Sequence, residues 1–304
     1  MSGSNNSGLG AVSVYTPKTL TEMINTKAKN PDAVIFGGGT YLMSRDGFYP
    51  DIKPRDIILT SHVAELSRVY HSDKYVDVGC AVTLETLLGT GSYIISRPLD
   101  NALRSLASSS IRAQMTLGGA LCTDTIRFSL PCYLSAIGAE VEVRFFASRG
   151  RSGRVRTSSR WLSVPKLYGD NGEYALSANA ILTRLRIPSQ EGLKQFYKTI
   201  GSPMHESTSS VIFALTFNDS KGVITDASLR VALPVAGFFS STDFDSTLSG
   251  ITLPMRTAQI NKLGDRLAFE LKSSFPKATG IQVERAKRLL QTILFDLNTD
   301  YLEF

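Results

Sequence analysis

An α+β (mixed α/β) chain in two parts is the fold class the sequence predicts, and three observations predict it. Short apolar runs rich in β-branched residues alternate with helical periodicities over residues 11–188. Two glycine runs, Gly37-Gly38-Gly39 and Gly118-Gly119, interrupt that alternation inside apolar sequence. From Gly192 onward the texture changes to three strand-like runs followed by two long amphipathic helices.

Taken in order, Thr16 reads as an N-cap and Pro17 as a first helical residue, so a helix is expected over Pro17–Lys29 with Leu20, Met23, Ile24 and Ala28 on one face. Ala33–Phe36 is a short buried strand that runs straight into the first glycine stretch, and Asp56–Thr60 is a second strand. Ser67–His71 and Tyr75–Gly79 flank Ser72-Asp73-Lys74 as a hairpin. Short helices are expected at Thr83–Leu88, capped by Thr83, and at Pro98–Ala107, with a further apolar helix at Pro131–Ile137. Ala139–Phe146 and a strand ending at Ile187 complete the first part, and a boundary falls near Pro188–Gly192. The strands Leu193–Ile200, Ser209–Asn218 and Val223–Val235 follow, the last two joined by a tight turn, and then the helices Thr257–Ser274 and Ile281–Leu297. This divides the chain into a tail at 1–10, a first domain at 11–188 with subdomains about 11–60 and 61–188, and a second domain at 192–304.

The glycine stretches are the candidate ligand site. Glycine lets a backbone approach a ligand closely and adopt positive φ, and successive N–H groups in such a turn can hold an anion, usually a phosphate. Ligands of α/β proteins gather at the carboxyl ends of strands, where Gly37 lies. The spacing is not G-x-G-x-x-G, and no long helix follows Thr40-Tyr41-Leu42-Met43, which excludes a Rossmann unit.

Composition narrows the rest. The chain has 304 residues, 42% hydrophobic and 20% charged, with a net charge of +6, an ordinary globular balance. Much of the positive charge comes from Arg149, Arg151, Arg154, Arg156 and Arg160. That run is Gly- and Ser-rich without interleaved aromatics, so it reads as a solvated loop and no nucleic-acid partner is expected. The three cysteines, Cys80, Cys122 and Cys132, lack the spacing of a zinc or iron–sulfur set and read as reduced, buried thiols of a cytoplasmic protein. No apolar run is long enough to span a membrane. Met1–Gly10 is Ser, Gly and Asn without an apolar core, so it reads as a disordered tail and not a signal peptide. The histidines, His62, His71 and His205, have no ligand spacing, so no metal site is expected, and no nucleophile or catalytic base stands out. Trp161 reads as a packing anchor. Tyr41 stays open between stacking on a ligand ring and covering apolar surface.

Several ordered motifs resemble the FAD-binding subunit, or FAD domain, of the molybdenum hydroxylases, the family of xanthine dehydrogenase and carbon monoxide dehydrogenase. Gly37-Gly38-Gly39-Thr40-Tyr41-Leu42 is similar to that family's A-G-G-T-D-L loop. Asp56–Leu66 and Asp77–Leu84 resemble the segments that follow it, and Ile111-Arg112 with Thr116-Leu117-Gly118-Gly119 resembles the I-R-N-…-T-x-G-G-N signature. Ile181–Pro188 and Phe196-Tyr197-Lys198 resemble later family segments, so the likeness covers nearly the whole chain.

The resemblance implies a two-subdomain FAD-binding fold of the PCMH type and a C-terminal domain like that of the carbon monoxide dehydrogenase flavoprotein, with a three-stranded sheet and a helical bundle. It implies FAD as cofactor. It also implies partner subunits that carry iron–sulfur clusters and molybdopterin, with electrons passing through the flavin to NAD or another acceptor. By residue, it implies that Gly37, Gly38, Gly39, Thr40, Tyr41 and Leu42 wrap the pyrophosphate and that Thr116, Gly118 and Gly119 form a second phosphate-facing turn. Thr123 lies near the flavin, and Leu182 packs on the isoalloxazine or adenine. Lys198 lies close to the flavin, where its charge favours the reduced anionic form. Three positions depart from the pattern: Ala120 replaces an asparagine, Ser129 an aspartate that binds a ribose, and Ser202 an arginine. Ser129 can still accept a hydrogen bond, and Asp124 is a substitute carboxylate. The departures keep two other readings in view, a flavin-free structural relative and a stand-alone flavin oxidase. No His or Cys motif for covalent flavin attachment supports the latter.

Overall fold

Residues 12–44, 56–91, 95–123, 129–147, 156–169, 174–201 and 208–302 are described by the computed structural model. Met1–Gly10, Arg149, Arg151, Arg154, Asp124, Ser202 and His205 lie outside them.

The chain begins with β1 (Val14–Tyr15), α1 (Leu20–Lys29), β2 (Val34–Phe36), α2 (Thr40–Ser44) and β3 (Ile57–Leu59). Both β1 and β2 pair with β3 in parallel, giving the order β1-β3-β2. The expected start of α1 is corrected. Its cap is Thr19, not Thr16, because the Thr19 hydroxyl accepts from Glu22 N at 3.1 Å, while the Glu22 carboxylate accepts from Lys18 N at 2.8 Å. These two bonds satisfy amides that a helix end otherwise leaves open. Leu20, Met23 and Ile24 then pack with Ile58, Leu66, Phe146 and Ile181, which seats this small layer on the next sheet.

The second unit runs through β4 (Val69–His71), β5 (Tyr75–Gly79), α3 (Leu84–Leu88), α4 (Arg97–Arg104), α5 (Ser109–Arg112), α6 (Leu117–Leu121) and α7 (Ser129–Ala136). It ends with β6 (Glu140–Ala147), β7 (Arg156–Ser163) and β8 (Ala180–Pro188). The strands form an antiparallel sheet of order β4-β5-β8-β6-β7. One face buries Val76, Val78, Val141, Val143, Leu185 and Ile187 against Leu84, Leu87, Leu99 and Leu103 of the helices. The other face buries Phe146 and Ile181 against α1 and is otherwise polar. Arg186 holds Asp77 with two bonds of 2.7 and 2.8 Å, and its guanidinium lies 4.0 Å from the centroid of the Trp161 ring, so Trp161 is a packing platform.

Two expectations are corrected here. The end of the arginine-rich run is a strand, not a loop: Arg156–Ser163 pairs with β6 from Ala147↔Arg156 to Glu140↔Ser163. Its alternation is hidden because Arg156, Thr157, Ser158, Ser159 and Arg160 are all exposed on a sheet edge. The second glycine stretch, expected as a turn, is helical as α6, with Thr116 as its N-cap.

The last unit comprises β9 (Lys194–Ile200), β10 (Val211–Ser220), β11 (Val223–Leu233), β12 (Gly237–Ser240), α8 (Thr242–Leu248), α9 (Thr257–Ser274) and α10 (Gly280–Leu302). The expected three-stranded sheet has four strands, in the order β12-β11-β10-β9. The extra strand is Gly-Phe-Phe-Ser, too short to show periodicity, and it forms because the turn after Leu233 folds it back onto Arg230–Leu233. One face of this sheet packs on α9 and α10 through residues such as Phe213, Leu229, Leu267 and Leu290. The other meets α7: Ile212, Ala214 and Ala232 touch Cys132 and Ala136. The Thr216 hydroxyl donates to Ala136 O at 2.7 Å, which fixes the sheet against α7.

Candidate functional site

The two glycine stretches meet in space, though Gly38 and Gly118 lie 80 positions apart in the chain. A Cβ added at Gly37 would fall 2.5 Å from Thr116 Oγ1, and one added at Gly38 would fall 1.6 Å from Gln114 O. No side chain fits at either position. Gly39 has φ +70°, a conformation that favours glycine.

Their local settings differ. The first stretch leaves β2 at its carboxyl end and enters α2, where Met43 N donates to Gly39 O at 2.9 Å. The amides of Gly37, Gly38 and Gly39 have no acceptor among the described residues. The second stretch has its donors committed to the protein. Leu117 N donates to Val82 O and Gly118 N to Cys80 O, both at 2.8 Å, and Gly119 N donates to Thr116 Oγ1 at 3.2 Å. Gly118 is there for closeness, since its Cβ would lie 2.8 Å from the Cβ of Cys80.

Two cavities open along this seam. The larger, about 480 Å³, is walled by Gly37 to Leu42, Met115, Thr116, Gly119, Ala120, Cys122, Thr123 and Tyr174, with Val34 and Ile35 of β2. The smaller, about 140 Å³, reaches into the junction between the first two sheets and is mostly apolar, with Met23, Ile35, Leu66, Ala180, Ile181 and Leu182 in its wall. Gly37, Thr116, Gly119, Cys122 and Tyr174 belong to both, so the cavities adjoin. No Asp, Glu, Lys or Arg lines either cavity among the described residues. An anion placed there would therefore meet neutral donors.

Most of the residues expected from the sequence come together here. Gly37, Gly38, Gly39, Thr40, Tyr41, Leu42, Thr116, Gly119 and Thr123 line the larger cavity, and Gly118 and Leu182 the smaller. Buried Thr123 spends its hydroxyl on Ala120 O at 3.2 Å. Two residues are placed elsewhere. Ser129 is buried at the start of α7, where its hydroxyl meets those of Ser105 (3.2 Å) and Tyr197 (3.0 Å). Lys198 is exposed on edge strand β9, on the face opposite Tyr197, and is absent from both walls. Cys122, Tyr174, Met115 and Thr60 are wall residues that sequence reasoning missed. They carry no motif, and only the convergence of α6, β3 and the 174–182 segment brings them in. The reading of all three cysteines as buried is also corrected: Cys80 and Cys132 are buried, but Cys122 is open to the cavities. Protein crowds around it all the same, and that desolvation pushes its thiol up to about 11.

Residues 10–190 match the model of a protein family described as the FAD binding domain in molybdopterin dehydrogenase. The chain belongs to this family. The nicotine 6-hydroxylase medium subunit of Paenarthrobacter nicotinovorans is 25% identical over 255 residues, covering 83% of this chain and 84% of that protein. The fold is shared with solved structures beyond the matched region. Quinoline 2-oxidoreductase from Pseudomonas putida 86 aligns with a TM-score of 0.72 at 19% identity, over 95% of this chain and 98% of the other. Carbon monoxide dehydrogenase from Oligotropha carboxidovorans aligns with a TM-score of 0.70 at 18% identity, over 93% and 98%. Membership makes FAD the cofactor, and the seam fits it. Three neighbouring glycine amides suit a pyrophosphate, and the adjoining apolar cavity suits a ring.

Proposed function

We propose that this chain is the FAD-binding medium subunit of a molybdenum hydroxylase, working with one partner subunit that carries iron–sulfur clusters and another that carries molybdopterin. When bound, FAD supplies the electron relay from those clusters to NAD or another acceptor. The observation that carries the reading is the seam itself, where the Gly37–Gly39 amides lack acceptors among the described residues beside two adjoining cavities. The family match and the medium-subunit relative support the same assignment.

The chain's own residues bind and orient. The amides of Gly37, Gly38 and Gly39 hold the pyrophosphate, and the Thr116 hydroxyl, which accepts from Gly119 N, keeps its hydrogen for the ligand. Leu182 and Ile35 give an apolar surface for a ring. Gly118 sets the distance between α6 and the Cys80 strand end without touching phosphate. The Ala120 side chain contributes to the wall and carries no polar group.

The test is an absorption spectrum of the purified full chain with and without added FAD. Flavin bands near ~370 and ~450 nm that stay with the protein through gel filtration are expected. A colourless protein that takes up no FAD would overturn the proposal in favour of a flavin-free structural subunit. Isolation of the flavin-loaded chain with iron–sulfur and molybdopterin subunits is the second expected result, and turnover by the chain alone would favour a stand-alone oxidase.

A further inference from the structure

Tyr174 stands where the two cavities join and belongs to the wall of both. It is held there from three sides. Its backbone bridges Tyr168 in an antiparallel pair, and the next amide, Ala175 N, donates to Leu167 O at 2.9 Å. Its ring meets Tyr168 edge-on, with centroids 6.5 Å apart, and the Tyr168 hydroxyl donates to Leu121 O at the end of α6 (2.7 Å). At its tip, Cys122 Sγ donates to the Tyr174 hydroxyl at 3.2 Å. Tyr174 is thus fixed to the helix that carries the second glycine stretch.

That last bond decides what the phenol can do. A tyrosine hydroxyl has one hydrogen and two lone pairs. With the thiol as donor, one lone pair is occupied and the phenol hydrogen is available to another acceptor. Burial among Tyr168, Cys80 and Cys122 holds the phenol well above its usual range, so it stays neutral and remains a donor at physiological pH. Among the described residues, no acidic side chain stands in either wall to take that hydrogen.

The geometry points to Tyr174 as a cofactor-binding residue outside the glycine motifs: its ring partitions the seam, and its hydroxyl, oriented by Cys122, donates to an oxygen of bound FAD between the apolar and the amide-lined cavity. The inference rests on the FAD reading above and adds a residue to it. It also explains how a site without a cationic side chain in its described wall gains one more neutral donor.

The experiment is a fluorescence titration of the full chain with FAD for wild type, Tyr174→Phe and Tyr174→Ala, with circular dichroism to confirm folding. Loss of one hydrogen bond to the ligand is expected to weaken FAD binding by about 3–10-fold in Tyr174→Phe. Loss of the partition as well is expected to weaken it by about 10–100-fold in Tyr174→Ala. If Tyr174→Ala does not fold, Tyr174→Phe decides alone. Wild-type affinity in every folded variant would overturn this inference and leave the FAD reading standing. Absence of FAD binding by wild type would overturn both.

Discussion

Two glycine stretches of similar composition sit in opposite hydrogen-bonding states in this protein. Gly37-Gly38-Gly39 follows a parallel strand and leaves its amides without acceptors among the described residues. Gly118-Gly119 lies inside a short helix whose first amides are all taken, by Val82 O, Cys80 O and Thr116 Oγ1. The first has open amides and the second has its amides bonded within the protein. Glycine content alone does not distinguish an anion cradle from a close helix–strand contact. The fate of the N–H groups does.

The strongest way to break this comparison is Gly38→Ala. The added Cβ would fall 1.6 Å from a backbone oxygen, Gln114 O, so no rotamer change relieves it and one stretch must move. A stability loss at or beyond the top of the ~1–3 kcal/mol range for overpacking is expected in denaturant unfolding, together with loss of FAD uptake. A fully stable, FAD-loaded variant would show that the two stretches are not in contact.

Gly118→Ala sharpens the contrast. Its Cβ would sit 2.8 Å from the Cβ of Cys80, a smaller overlap, so a loss of ~1–3 kcal/mol is expected. Because the Gly37–Gly39 amides are untouched, FAD affinity of the folded variant should stay within about threefold of wild type, less than the tenfold that 1.4 kcal/mol of lost binding gives. Affinity falling in step with stability would instead assign the second stretch to the phosphate.

The smallest effect is on pH dependence, and it separates the polar face of the five-stranded sheet from the neutral seam. Burial opposes the charge on Glu142, but hydrogen bonds from Arg184 (2.8 Å) and Thr183 (2.7 Å) outweigh it and hold the carboxyl below its ordinary value of 4.5. A depressed carboxyl pKa stabilises the fold above the unfolded value and ceases to do so as pH falls through the folded value. Stability should therefore decline below about pH 4.5, and less so in Glu142→Gln. Equal acid sensitivity of both proteins would remove Glu142 from that role.

Much of this was legible in the sequence. The hairpin Val69–Gly79, helix α9 at Thr257–Ser274 and the strand before the first glycine stretch follow from local pattern, because alternation, caps and turn residues are properties of neighbours in the chain. The motif residues Gly37 to Leu42, Thr116 and Gly119, singled out from the chain alone, line one cavity. Where local signals were weak, reading failed. The edge strand β7 is exposed on every one of its first residues, and β12 has four residues, so neither carries a period.

The sequence by itself determined the mixed α+β class, the glycine stretches and the family resemblance, since all three are written in residue type and spacing. Only the tertiary structure decided which amides stay open, that Gly38 lies against Gln114, and that Cys122 and Tyr174 complete the wall. It also turned Ser129 into the Ser105–Tyr197 hydroxyl cluster and set Lys198 on an exposed edge. The physical reason is that a backbone donor or a hydroxyl is defined by its partner, and these partners come from segments far away in the chain, brought together only when the sheets and helices pack.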